Sequence, residues 1–320
     1  MIDFRYHLVS IISVFLALAV GIVLGAGPLQ ANLGDQLGDQ VAALRTEKQA
    51  LNDKLTVSGK LVDASDEYAA AVQPRVVHGR LTGHRAVVVV MPSADGTMVS
   101  NLEAVVPQSG AALTGTVTLS QDWFDPSQAA DRATAAHAAA TALGLGSTAT
   151  GDPLLIQVLS YLTVSTSSTS ASGATGTQAQ RSAALKVLVD ANLLDSTTAD
   201  LAPSDLALVV SGDYAGSDAV VSARSDVVRA LVMALAGASR ATVVAGGETV
   251  VAAGQAVTSN AVQAVREKSE TAQLVSTVDH ARAGDGPATV VLAIENALDE
   301  KVGHYGVSAG ATDKVPRVLP

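Results

Sequence analysis

The chain has 320 residues, a formal net charge of −10, no cysteine and only 3% aromatic residues. The missing cysteine excludes disulfides, thiolate metal sites and cysteine nucleophiles, so the water-soluble part must hold by core packing. Sparse, scattered basic residues argue against a nucleic-acid partner, and the few aromatic rings argue against a sugar- or base-stacking platform.

Leu8 to Gly27, LVSIISVFLALAVGIVLGAG, is uncharged and apolar. It is about as long as a helix crossing a bilayer core of roughly 30 Å needs to be. Ser13, Ala17, Gly21 and Gly25 recur every fourth position. Such a stripe of small side chains lets two helix backbones approach closely in lipid. The reading is a transmembrane anchor over residues 1–28 with a membrane dimer face at Ser13, Ala17, Gly21 and Gly25. A cleaved signal peptide and a buried core helix are the alternatives. Pro28 after Gly25-Ala26-Gly27 suits a cleavage site poorly, and soluble folds seldom open on such a run. Arg5 and His7 precede the span, while Asp35 and Asp39 follow it. The positive-inside rule then puts the N-terminus in the cytoplasm and the rest outside.

A coiled-coil stalk is expected over residues 29–73. Leu37, Leu44 and Leu51 fall seven apart, and Val41, Lys48, Leu55 and Val62 fill the complementary position. Leucine at d with β-branched or polar residues at a favours a parallel homodimer, and Lys48 selects against larger bundles. Gly34, Gly38 and Gly59 weaken the helix by about 1 kcal/mol each relative to alanine. A single amphipathic helix folded back on the domain is the other reading. Pro74 is expected to end the helix.

Residues 74–310 read as an extracytoplasmic α/β domain. Ala86–Met91 is a short, continuously apolar run of the kind buried on both faces of a sheet, and Leu206–Ser211 and Ala241–Ala245 are again buried-type strands. Further strands are expected at Thr114–Leu119 and Leu274–Val278. Helices are expected near Met98–Val106, Ser127–Leu143, Leu154–Leu162, Arg181–Leu194, Asp226–Ala236, Asn260–Ser269 and Pro287–Leu298. This alternation predicts a Rossmann-like, mostly parallel sheet with helices on both faces. The Ser/Thr/Gly segment 163–177 is expected to be a disordered loop, and 311–320 a polar tail.

No chemistry-bearing motif emerges. After Met91 comes Pro92-Ser93-Ala94-Asp95-Gly96-Thr97, and after Ala245 comes Gly246-Gly247-Glu248. Neither is a G-x-G-x-x-G or a phosphate-binding loop. Gly144, Gly146 and Gly151 follow a helix, where glycine is a stop signal. Gly237–Ala241 mimics a nucleophile elbow but lies between helix and strand, where a cap and turn fit better. Asp122 and Asp125 flank Trp123-Phe124 and read as the start of a helix, with the aromatics against the sheet. None of the six histidines stands in an i, i+4 pair. His78 and His84 share one loop and are the candidate metal ligands; exposed loop histidines are the alternative. The four methionines are dispersed. The chain reads as non-enzymatic with no cofactor evident, a cryptic nucleotide-binding enzyme being the third-ranked alternative.

Several stretches resemble the actinobacterial MctB family: the opening Arg5–Leu29, TGTVTL at Thr114–Leu119 followed by Trp123-Phe124-Asp125-Pro126, STVD at Ser276–Asp279, and GHYGV at Gly303–Val307. The resemblance covers nearly the whole chain. It implies a copper transport or homeostasis role, with copper as the only implied metal, and an outer envelope location. Relatives named SteB imply a different role, a dimeric coiled-coil scaffold in cell separation that meets a protein partner of a peptidoglycan hydrolase system at the cell wall. An outer-membrane pore would need many strands of about ten residues alternating apolar and polar. The short apolar strands expected here do not supply them.

Overall fold

The computed structural model describes residues 4–165, 176–198, 201–248 and 257–317. The chain forms two compact units that divide between Ala64 and Ser65. The first is the greater part of helix α1 (Phe4–Val77), which is continuous over 74 residues.

The second unit is a mixed α/β fold. Among the described residues, its main sheet has seven strands in the order β3-β2-β1-β4-β6-β8-β9. These are β1 (Arg85–Val90), β2 (Ala112–Leu119), β3 (Leu194–Thr197), β4 (Leu206–Val210), β6 (Ala241–Ala245), β8 (Ser276–Val278) and β9 (His304–Tyr305). All neighbours are parallel except β3, which runs antiparallel to β2. β5 (Asp213–Gly216) and β7 (Val257–Asn260) form a separate antiparallel pair.

Strand periodicity divides the core into two layers. From β1, Val87 and Val89 face one side with Val117, Leu119, Val209 and Val244. Helices α3 (Ala129–Leu143), α4 (Gly151–Thr163), α5 (Gln178–Asp190), α6 (Asp218–Ala238) and α7 (Ala261–Arg266) cover that side. Ala86, Val88 and Val90 face the other side with Leu206, Leu208, Val210 and Val243. There they meet α2 (Gly96–Gln108), α9 (Gly286–Leu298) and Val77 at the end of α1. Central strands covered on both faces explain the continuous apolar runs, since polar alternation would bury unpaired groups on one side. Four-residue α8 (Ser269–Ala272) completes the helices.

Several boundaries differ from the sequence reading. α1 does not stop at Pro74 but runs three residues further. Pro74 forgoes one backbone bond, yet Val77 is fully buried in the core, Asp66 Oδ1 accepts from Gly284 N at 2.8 Å, and Arg80 Nε donates to Val76 O. Tertiary contacts thus hold the final turn. α6 starts eight residues earlier than expected, at Asp218. The helix expected to reach Leu194 stops at Asp190, where left-handed Asn192 turns the chain into β3. The polar tail is shorter than expected: Thr312 N donates to His304 O and Gly306 N to Asp313 O, tying the chain to β9. Most of the Ser/Thr/Gly segment, 166–175, lies outside the described residues. Thr163 ends α4, and Thr177 opens α5 with a capping box shared with Gln180.

Candidate functional site

The small-residue stripe lies on one continuous helix, where positions four apart share a face. Ser13, Ala17, Gly21 and Gly25 are all exposed, Ser13 Oγ donates to Val9 O at 2.8 Å, and open space surrounds Gly21 and Gly25. Among the described residues, Phe4–Gly25 is the one helix long and apolar enough to cross a membrane, and none of it is buried. Further along α1, Leu37, Val41, Leu44, Leu51, Leu55 and Val62 are each at least 45% exposed, and Lys48 is exposed with them.

His78 and His84 occupy the turn between α1 and β1. His78 is exposed, whereas His84 Nδ1 lies 2.6 Å from Asp205 Oδ2, and Asp205 Oδ1 accepts from Arg85 N at 2.7 Å. His84 borders an open depression of about 410 Å³ at the amino ends of the strands. Arg80, Arg240, Lys301 and Arg317 line it against Glu295 and Asp299. This excess of positive charge opposes a copper cation. Among the described residues no group of three or more His, Asp or Glu side chains could hold a metal ion.

At the carboxyl ends of the strands, the chain order reverses on either side of β1, which is where open α/β sheets usually take ligands. Here, among the described residues, the backbones of the segments following β1 and β4 meet across that crevice. Ala94 pairs with Gly212, and any Cβ on Gly212 would collide with Pro92 O. Asp95 in the same turn caps α2, accepting from Met98 N at 2.8 Å, so Pro92–Thr97 ends a strand and starts a helix.

Two charged constellations nearby went unrecognised in the sequence. In the first, Arg266 and Asp279 form a buried pair, with Nη1 2.6 Å from Oδ2 and side chains 4% and 2% exposed. Asp279 also accepts from Val307 N and Ser308 N, while Arg266 donates to Thr277 Oγ1 and Tyr305 O. The STVD and GHYGV stretches therefore meet at one clasp. Gly306, at φ 133°, is required there because a Cβ would strike the Asp279 carboxylate. His304 joins the clasp through Thr277 Oγ1 at 2.9 Å. Burial, with Arg266 nearby, holds its imidazole below the ordinary 6.5. A histidine kept neutral in the fold contributes stability above the unfolded value, and this is lost as pH falls through the lowered folded one. The unfolding midpoint should therefore drop as pH falls below about 6.5, and His304→Asn should flatten that decline. A parallel decline in both proteins would assign the pH dependence elsewhere.

The second constellation is an open groove of about 550 Å³ between α6 and the segment that follows β2. Trp123 and Phe124 come from that segment, where Asp125 caps the 3-10 turn Pro126–Gln128 by accepting from Ser127 N. This capping bond holds the Asp125 carboxyl below its usual range. Trp123 is 1% exposed, so the aromatic expected against the core is there. Arg132 is fixed at the floor, with Nε and Nη2 on the two Asp152 oxygens at 2.8 and 3.1 Å. On α6, the Arg224 guanidinium carbon lies 4.7 Å from the centre of the Phe124 ring and 4.8 Å from that of Tyr214. Burial pulls the Arg224 guanidinium down from its ordinary value and pushes the Tyr214 phenol up.

Comparison with known proteins bears on the whole chain. Residues 1–316 match the family model described as "Copper transport outer membrane protein, MctB". A copper transporter MctB of Mycobacterium tuberculosis (strain CDC 1551 / Oshkosh) is 30% identical over 322 residues, covering 97% of this chain and 98% of the relative. A copper transporter MctB of Mycobacterium leprae (strain TN) is 31% identical over 330 residues, covering 98% of each. On the strength of a match that runs from the apolar helix to the clasp, the chain belongs to the MctB family.

Proposed function

We propose that the chain is a membrane-anchored, non-enzymatic component of copper transport, held by Phe4–Gly25 and acting as a parallel homodimer with its α/β unit outside the cytoplasm. The observation that carries the reading is the apolar helix, none of it buried, in a chain whose relatives are named copper transporters. The stripe at Ser13, Ala17, Gly21 and Gly25, continued by exposed leucines, supports pairing. Charge placement around the span supports an N-terminus in the cytoplasm. The backbone bridge across the crevice beside β1 supports the non-enzymatic part.

The described sheet is open, mostly parallel and covered by helices on both faces, unlike a closed transmembrane barrel. The α/β unit therefore acts on copper transport without being the conduit. Deleting the gene should raise cell copper, measured by plasma mass spectrometry. The full-length chain should reverse the rise, and a chain lacking Phe4–Gly25 should not. Unchanged cell copper on deletion would remove the copper reading.

The exposed row Leu37, Leu44, Leu51 and Leu55 favours a second reading, in which α1 recruits a coiled-coil partner at the cell wall. Membrane pull-down with residues 29–72 as bait separates the two. A specific partner captured while cell copper is unaffected by deletion would select the scaffold.

A further inference from the structure

The groove beside α6 carries an uncompensated charge. Arg132, its other cation, is neutralised by Asp152, whereas Arg224 makes no ion pair with a carboxylate among the described residues. Its Nη1 donates to the neutral Gln121 Oε1 at 3.4 Å, and its buried Nε has no hydrogen-bond partner among the described residues. Stacking on aromatic rings stabilises a guanidinium yet leaves its in-plane N–H donors free for an oxyanion. Around it the wall is apolar: Trp123, Phe124, Ala223, Val227 and Val220, the last 53% exposed at the rim. The volume falls within the range of small-molecule sites, which combine apolar walls with a few polar anchors.

We propose that this groove binds a small amphipathic organic acid, its carboxylate on Arg224 and its apolar body against Val220, Ala223 and Val227, with Trp123 buried behind them. A carboxylate offers two oxygens in the plane of the guanidinium donors and supplies the missing charge. An apolar body displaces water from the side chains the groove leaves wet. A metal cation is excluded by the same Arg224 charge, so this site is separate from any copper chemistry.

The test uses the full-length chain in lipid nanodiscs. The sequence contains one tryptophan, Trp123, so its emission reports on this groove. Titration with 4-phenylbutyrate should shift the emission saturably, whereas 4-phenyl-1-butanol, the uncharged alcohol of the same carbon skeleton, should bind at least about tenfold more weakly, the worth of one charge-assisted hydrogen bond. Arg224→Gln should abolish the difference between acid and alcohol, and Arg224→Lys should keep part of it. Filling the groove with Ala223→Leu should weaken both ligands. Equal binding of acid and alcohol by the unaltered protein overturns the proposal, as does a shift that never saturates. This decides the matter even if Arg224→Gln does not fold. An acid preference that survives in folded Arg224→Gln overturns it as well.

Discussion

Replacing Arg266 with methionine is expected to lower the stability of the α/β unit by about 3–5 kcal/mol, the cost of leaving a buried charge without its partner. The pair is almost completely enclosed, and among the described residues Asp279 would keep only Val307 N and Ser308 N as donors. The variant also removes the donors that hold Thr277 Oγ1 and the Tyr305 and Ala309 carbonyls, so the segment after β9 loses its attachment to α7. Small domains are stable by about 5–15 kcal/mol, so a loss of this size brings the unit close to unfolding at ambient temperature. Urea denaturation followed through Trp123 measures it, since that residue lies in the core of the same unit. Arg266→Lys should cost less, because the charge survives and only the forked geometry is lost. A loss below about 1 kcal/mol for the methionine variant would place the pair in the class of exposed ion pairs and refute the clasp.

The clasp shows why part of this structure was illegible in sequence. STVD and GHYGV stood out only as familiar stretches, because an aspartate ending a strand has many uses. What selects this one is a glycine 27 positions later whose missing side chain makes room for the carboxylate. The central strands gave a plainer signal. Val-rich runs with at most one small polar residue have few fates other than burial on both faces, and Ala241–Ala245 matches the expected strand residue for residue. By contrast β3, β5, β7 and β9 are two to four residues long and carry polar side chains. Their pairing is dictated by the partner strand rather than by local preference.

The groove was half legible. Trp123 and Phe124 read as packed against the sheet, and they are, but Arg224 sits a hundred positions away in a helix where an arginine normally signals a solvated face. Only the fold brings the guanidinium over Phe124 and Tyr214, and only the absence of a carboxylate partner among the described residues makes it chemically notable. His78 and His84 teach the complementary lesson. One shared loop suggested convergence, but the Asp205 carboxylate at the start of β4 takes up His84. That carboxylate lies 121 positions along the chain, beyond the reach of local pattern reading.

Leu44→Pro is expected to abolish pairing along α1 while leaving the α/β unit intact. Proline at position 44 removes the N–H that bonds to the Gln40 carbonyl, and its ring presses on that carbonyl, costing about 3 kcal/mol or more in a helix interior. The kink also throws Leu51 and Leu55 out of line with Leu37, so the seam loses its register as well as one side chain. The natural chain lacks cysteine, which allows a clean reading. Leu51→Cys should form a disulfide-linked dimer in native membranes, because in-register d positions face each other in a parallel pair. Gln49→Cys should not, because it lies on the outer face of the same heptad. Adding Leu44→Pro to Leu51→Cys should reduce the crosslinked fraction at least about tenfold, the minimum expected from a 1.4 kcal/mol loss. The Trp123 unfolding midpoint should stay put, since the substitution falls in the other compact unit. Equal crosslinking at positions 49 and 51 would indicate random collision. No crosslink at either would mean that α1 stands alone in the membrane, and the dimer would have to be abandoned.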